Sequence, residues 1–95
     1  MSAYVIAEIE ITDPAGYEEY RRRVPATIAQ YGGRYLVRGG ASETLEGDWQ
    51  PRRLVVLEFS SMAQARAWYD SAEYREARAI RHRCSRGDAI LVEGA

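Results

Sequence analysis

The chain of 95 residues contains no lysine, and all thirteen of its basic residues are arginine. The missing lysine excludes Schiff-base chemistry and the lysine of a phosphate-binding loop. With one histidine and one cysteine, an intrachain disulfide and a multi-histidine or cysteine-rich metal site are excluded as well. Apolar runs stop at strand length, far short of the ~20 residues that span a bilayer. No basic segment, apolar core and cleavage site precede the first strand pattern, so no secretion signal is expected and a reducing cytoplasm is the expected location. The net charge of −1 argues against a generally basic nucleic-acid binder. Phenylalanine occurs once, against seven tyrosines and two tryptophans. A core built from such rings carries hydroxyls and indole N–H groups that need partners.

What is present fits one domain, large enough to bury about 65% of its unfolded surface. Residues 3–11 alternate at period two: Val5, Ala7, Ile9 and Ile11 on one face, Tyr4, Ile6, Glu8 and Glu10 on the other. This is a strand. Asp13 and Pro14 then supply a helix N-cap and first position. Tyr17, Tyr20, Val24, Ile28 and Tyr31 draw one apolar stripe, Pro25 is expected to kink the helix, and Gly32-Gly33 ends it. Residues 34–38 and 52–60 read as strands flanking a long loop, 39–51. Ser61 and Gln64 match a capping box before a second helix, with a break and restart at 71–73. Ser85-Arg86-Gly87-Asp88 reads as a turn and 89–93 as the last strand. The order β-α-β-β-α-β gives an α+β, ferredoxin-like arrangement: an antiparallel sheet with both helices on one face, and the first and third strands central.

Helices cover only one face of such a sheet. The other would carry Tyr4, Ile6, Leu54 and Val56, with Glu8 and Glu58. An apolar patch of that kind is resolved most simply by a second copy packed sheet to sheet, so a homodimer is expected. Glu8 and Glu58 are then either interfacial carboxylates, with Arg34, Arg38 and Arg53 as candidate partners, or groups at the wet strand ends.

Residues 31–60 hold a long, specific pattern. Tyr31-Gly32-Gly33-Arg34-Tyr35-Leu36-Val37-Arg38-Gly39-Gly40 is followed by Glu43, Leu45-Glu46-Gly47, Trp49, Pro51 and Arg53-Leu54-Val55-Val56-Leu57-Glu58-Phe59. Ala67-Trp68-Tyr69-Asp70-Ser71-Ala72-Glu73-Tyr74 and Val92-Glu93-Gly94 complete it. Across almost its whole length the chain resembles the domain-of-unknown-function family numbered 1330. That resemblance implies a dimeric α/β barrel of two ferredoxin-like halves. More distant kin implied by the fold include cofactor-independent monooxygenases, lactone isomerases and haem-dependent enzymes, but fold does not carry function. No catalytic residue transfers, because the family has no agreed reaction.

Two classes of function follow as expectations. The first is a small organic ligand held between helices and sheet by Tyr17, Tyr20, Trp68 and Tyr69, with cofactor-independent chemistry, Glu8 or Glu58 as acid/base and Arg38 or Arg53 holding an anionic group. The same rings also read simply as core packing. The second is a non-catalytic, stress-related or regulatory interaction module. In either, the acidic loop with Glu43 and Trp49 would reach a partner subunit, Trp49 as its anchor. The arginine-rich segment 75–86 reads as helix-dipole matching or as an anion-binding or subunit-contact surface. His82 and Cys84 lie two apart on a helix, too few and too divergent for a metal site. No metal or cofactor, no nucleic acid and no membrane partner is expected.

Overall fold

The computed structural model describes all residues 1–95. It contains β1 (Ala3–Ile11), α1 (Pro14–Gln30), β2 (Arg34–Arg38), β3 (Leu54–Phe59), α2 (Met62–Tyr69), α3 (Ala72–Cys84) and β4 (Ser85–Glu93). The strands form one antiparallel sheet in the order β2-β3-β1-β4. This is the expected βαββαβ order with β1 and β3 in the centre, the second helical region being split into α2 and α3.

Local chemistry sets the element ends. The Asp13 carboxylate accepts from the Gly16 N–H at 3.2 Å, with Pro14 behind it. Ser61 and Ser71 each accept from the N–H three residues on, starting α2 and α3. Half of the expected capping box is missing, because the Gln64 amide donates to the Tyr31 carbonyl at 2.9 Å and ties α2 to the end of α1. α1 closes with Gly32 N–H on the Ala29 carbonyl and Gly33 N–H on that of Ile28, the paired bonds of a Schellman ending. It runs unbroken through Pro25.

The expected turn at 85–88 is instead the first half of β4. Ser85, Arg86 and Gly87 pair with Ile11, Glu10 and Ile9. The Cys84 carbonyl accepts from Thr12 and Asp13 N–H at 2.8 and 3.0 Å, so α3 passes directly into the strand. Gly87, at φ 151°, permits this: any Cβ there would collide with the Glu8 carbonyl. Glycine and a serine read as turn signals, but here they let the chain lie close against β1.

The core lies between the sheet and the helices, with Ala7, Ile9, Leu57 and Phe59 below and Tyr17, Val24, Ile28, Trp68, Tyr74 and Ala77 above. The molecule is a slab, 36 × 35 × 17 Å. Its accessible surface of 6101 Å² exceeds the roughly 5,500 Å² expected of a compact monomer of this mass. The reverse side of the sheet accounts for part of that excess. Val37, Val56, Ile6 and Ile90 stand in one register row across all four strands, and Val37 and Ile90 are exposed. Tyr4, Leu54 and Val92 extend the patch. Substituting Gly87→Ala is expected to cost about 2 kcal/mol or more, because the backbone cannot keep its pairing with β1. A urea midpoint unchanged from the parent protein would contradict this.

Candidate functional site

The helix layer does not seal the sheet evenly. At one end Trp68 fills the space. Its ring lies 4.1 Å from Tyr74 and 5.3 Å from Phe59, centroid to centroid, and its indole N–H donates to the Thr27 hydroxyl at 3.1 Å. Beyond it opens a cleft of about 570 Å³ counted with its open mouth, of which about 40 Å³ is cavity space. Fourteen of the eighteen lining residues are apolar or aromatic, and the other four are Arg21, Arg38, Arg53 and Arg81. No carboxylate lines it.

Each arginine arrives by a different route. Arg21 follows Tyr17 by one helical turn on α1. Arg81 follows Tyr74 and Ala77 at helical spacing on α3, which aims it inward while Arg75 and Arg83 face water. Arg53 lies on the same strand face as Val55 and Leu57, and passes Gly39, where a side chain would collide with its guanidinium. Arg38 reaches the cleft only because the register shifts between Tyr35 and Val37, which puts Tyr35 and Arg38 on one face. The Arg38 guanidinium sits 4.5 Å from the Tyr35 ring centroid, and that of Arg21 sits 5.5 Å from Tyr17, both within cation–π range. The Nε atoms of Arg21, Arg53 and Arg81 are buried without a hydrogen-bond partner.

Hydroxyls share the cleft. Tyr20 and Tyr74 hydrogen-bond to each other at 3.0 Å in a buried position. Burial pushes the Tyr20 phenol well above its ordinary pKa, with the neighbouring Tyr74 adding to the effect. Burial also raises those of Tyr17 and Tyr35, against the opposing pull of Arg53 on Tyr17 and Arg38 on Tyr35.

The structure divides the sequence-derived site residues into two sets. Tyr17, Tyr20, Trp68, Tyr69, Arg38 and Arg53 all line the cleft. Glu8 and Glu58 lie on the other face of the sheet, at opposite ends of it, so an acid/base role for them on a molecule in this cleft within one subunit is ruled out by the strand alternation. Glu58 pairs with Arg34 at 2.7 Å and receives the Tyr4 hydroxyl at 3.4 Å. The Arg34 hydrogen bond holds its carboxyl below the ordinary range. Glu8 accepts from the Trp49 indole at 3.3 Å. Arg38 and Arg53 are therefore not its partners. Trp49 is 59% exposed, and Glu43 and Leu45 lie on the same exposed loop. Arg21, Arg81, Tyr35 and Tyr74 are the cleft residues that sequence reading did not assign. Cys84 is buried, 3.8 Å from the Asp13 carboxylate. His82 lies at the surface beside Arg81, with burial first and then Arg81 and Arg78 lowering its pKa.

The raised tyrosines give a signed expectation. In the unfolded chain a phenol ionises near pH 10, whereas the folded chain keeps these three protonated above that. Their contribution to stability is complete below about pH 10 and is lost as pH climbs through the raised folded values. The urea midpoint should therefore drop steeply above about pH 10. Tyr20→Phe should flatten that drop, while costing about 1–3 kcal/mol at neutral pH by leaving the Tyr74 hydroxyl short of a partner. An alkaline limb identical in the two proteins would refute the assignment.

Known structures share this fold. The RPA0582 protein of Rhodopseudomonas palustris, of unknown function, aligns at 17% identity and a TM-score of 0.78, covering 99% of this chain and 82% of its own. SnoaB of Streptomyces nogalater, a cofactor-independent oxygenase, aligns at 13% identity and 0.66, covering 99% and 93%. Rv0793 of Mycobacterium tuberculosis aligns at 17% and 0.59, covering 100% and 96%. At such identities the likeness concerns the fold. No curated protein matches. The sequence itself matches the family described as a domain of unknown function, DUF1330, over residues 2–95, and the chain belongs to that family.

Proposed function

We propose that the chain binds a small organic molecule in the cleft between the helices and the sheet, as a homodimer, with its own side chains rather than a cofactor supplying any chemistry. The observation that carries this reading is the cleft itself: tyrosine hydroxyls and arginine heads converge on an apolar wall, the composition of a ligand site. A filled core would have packed the same rings without leaving charged groups among them. The cofactor-independent chemistry of SnoaB on the same fold is compatible with a site of this vocabulary. Arg38 and Arg53 are the groups suited to orient the ligand.

The homodimer rests on the uncovered face of the sheet. The row Val37, Val56, Ile6 and Ile90, flanked by Tyr4, Leu54 and Val92, matches itself under a twofold axis. Glu58 is already paired with Arg34, so its burial there would not strand a lone charge. The reading includes a cytoplasmic location, in keeping with the free thiol of Cys84. One observation favours the alternative, a regulatory or stress-related interaction module. The β2–β3 loop exposes Trp49 and Leu45 together, and exposed anchors of this type serve protein contacts.

Trp68 lines the cleft and Trp49 does not, so the Trp49→Phe protein has a single fluorescent reporter at the site. A panel of small ring compounds should include members that change its emission saturably and raise the melting temperature. A silent panel, by both measures, would count against the cleft reading and leave the interaction module. Sedimentation should give about twice 10.8 kDa. Ile6→Glu should shift the species to the monomer with its helix content intact. A parent protein that stays monomeric at all concentrations would defeat the dimer.

A further inference from the structure

We infer that the cleft takes an anion, specifically a small planar aromatic acid whose carboxylate is held by Arg21, Arg53 and Arg81. The inference rests on the ligand-binding reading above and names the chemical class of the ligand.

The first observation is the location of the unsatisfied atoms. Three buried side-chain nitrogens lack a hydrogen-bond partner, namely the Nε of Arg21, Arg53 and Arg81. All three belong to the same cleft. Orphaned donors on cations are costly, and native proteins leave few of them. They come from α1, from α3 and from the sheet side, and together leave the cleft with three donor atoms that lack an acceptor.

The second observation is the distribution of carboxylates. Elsewhere this chain pairs its arginines readily: Arg22, Arg23, Arg34, Arg52, Arg66, Arg78 and Arg86 all have an acid within 4.0 Å. Arg38, Arg53 and Arg81 have none, and outside the cleft only the exposed Arg75 and Arg83 share that lack. Arg21 touches only Glu18, on the outer side of α1, where both side chains are exposed. The chain is acidic overall, with fourteen Asp and Glu residues, yet not one lines the cleft. Arg53 and Arg81 thus face an apolar space with no counter-charge from the protein, joined at its rim by the exposed Arg38 and by Arg21, whose only acid is Glu18. Like charges gathered in a poorly hydrated site repel, and a bound anion reverses the sign of that energy. Guanidinium groups also present the paired N–H edges that match a carboxylate.

The third observation selects the rest of the ligand. The walls are flat rings: Tyr17, Tyr35, Trp68 and Tyr69. Arg38 already lies over Tyr35. A site walled by aromatic rings accepts a planar ring more readily than a branched aliphatic acid or a hydrated inorganic ion.

Calorimetric titration of the intact protein with benzoate, with benzamide of the same shape but no charge, and with inorganic phosphate separates the possibilities. Benzoate should bind at least about tenfold tighter than benzamide, the difference expected for charge-assisted hydrogen bonds. Arg53→Met and Arg81→Met should each weaken benzoate by about tenfold or more while leaving benzamide within about twofold. Arg53→Lys, which keeps the charge and loses the fork, should fall between. If a methionine variant fails to fold, the benzoate–benzamide comparison on the parent protein still decides the question. Benzamide binding as tightly as benzoate would overturn the anion assignment and leave the ligand-binding cleft standing. Phosphate binding as tightly as benzoate, and displacing it, would overturn the aromatic class. Binding by none of the three, with a Trp68 signal still obtained from other members of the ring panel, would overturn the acid while keeping the cleft; silence throughout would remove both.

Discussion

Trp68 is the point on which the helix layer is fixed to the sheet. It stacks on Tyr74 of α3 and Phe59 of β3, and its indole N–H is satisfied by Thr27 of α1. One side chain from α2 therefore ties the other two helices and a central strand to a common position. Thr27 in turn donates to the Val24 carbonyl at 2.8 Å, one residue before Pro25, so its hydroxyl serves both the helix and the tryptophan. Beyond that end the space between helices and sheet is lined by tyrosines and arginines together with aliphatic side chains of the sheet.

The sheet then acts as an electrical partition. On its outer face the carboxylates of Glu8, Glu10 and Glu58 are matched by Trp49, by Arg52 and Arg86, and by Arg34 and Tyr4. In the cleft on its inner face the charges are arginine alone. Strand alternation enforces this separation, since neighbours along a strand project to opposite sides. A small change in register, at Tyr35/Val37, is enough to move Arg38 from one side to the other. The bulge is thus part of the cleft's chemistry as well as a bend in an edge strand.

How far the sequence discloses this differs by level. The strand order, the two central strands, the faces of β1 and β3, and the restart of the helix at Ser71 follow from period-two and period-3.6 patterns, which depend on near neighbours. The ring residues Tyr17, Tyr20, Trp68 and Tyr69 are also legible, because they sit on apolar stripes. The cationic residues are less so. Arg21 begins a run of three arginines that looks like a solvated face, and Arg81 lies in a basic segment that looks like dipole compensation. Their helical spacing from Tyr17 and Tyr74 was the available signal, but charge masks it. Arg38 carries no such signal, because the bulge that turns it inward depends on pairing with β3. The start of β4 was hidden for a related reason: Gly87 signals a turn by composition, and only the approach of β1 shows that it serves a strand. Glu8 and Glu58 drew attention as carboxylates of the uncovered sheet face, and register places them at its opposite ends.

The inner face has one more property that follows from its side chains. Guanidinium groups stay charged and buried phenols stay neutral across the range in which cells operate. No histidine, carboxylate or thiol lines the cleft. It consequently contains nothing that takes up or releases a proton between about pH 5 and pH 9. A molecule within it meets lining groups of constant charge, with His82, outside the lining, in contact with the Arg81 guanidinium. Such a space can turn, hold and polarise its occupant, and leaves any proton that must move to be carried by the occupant itself or by water.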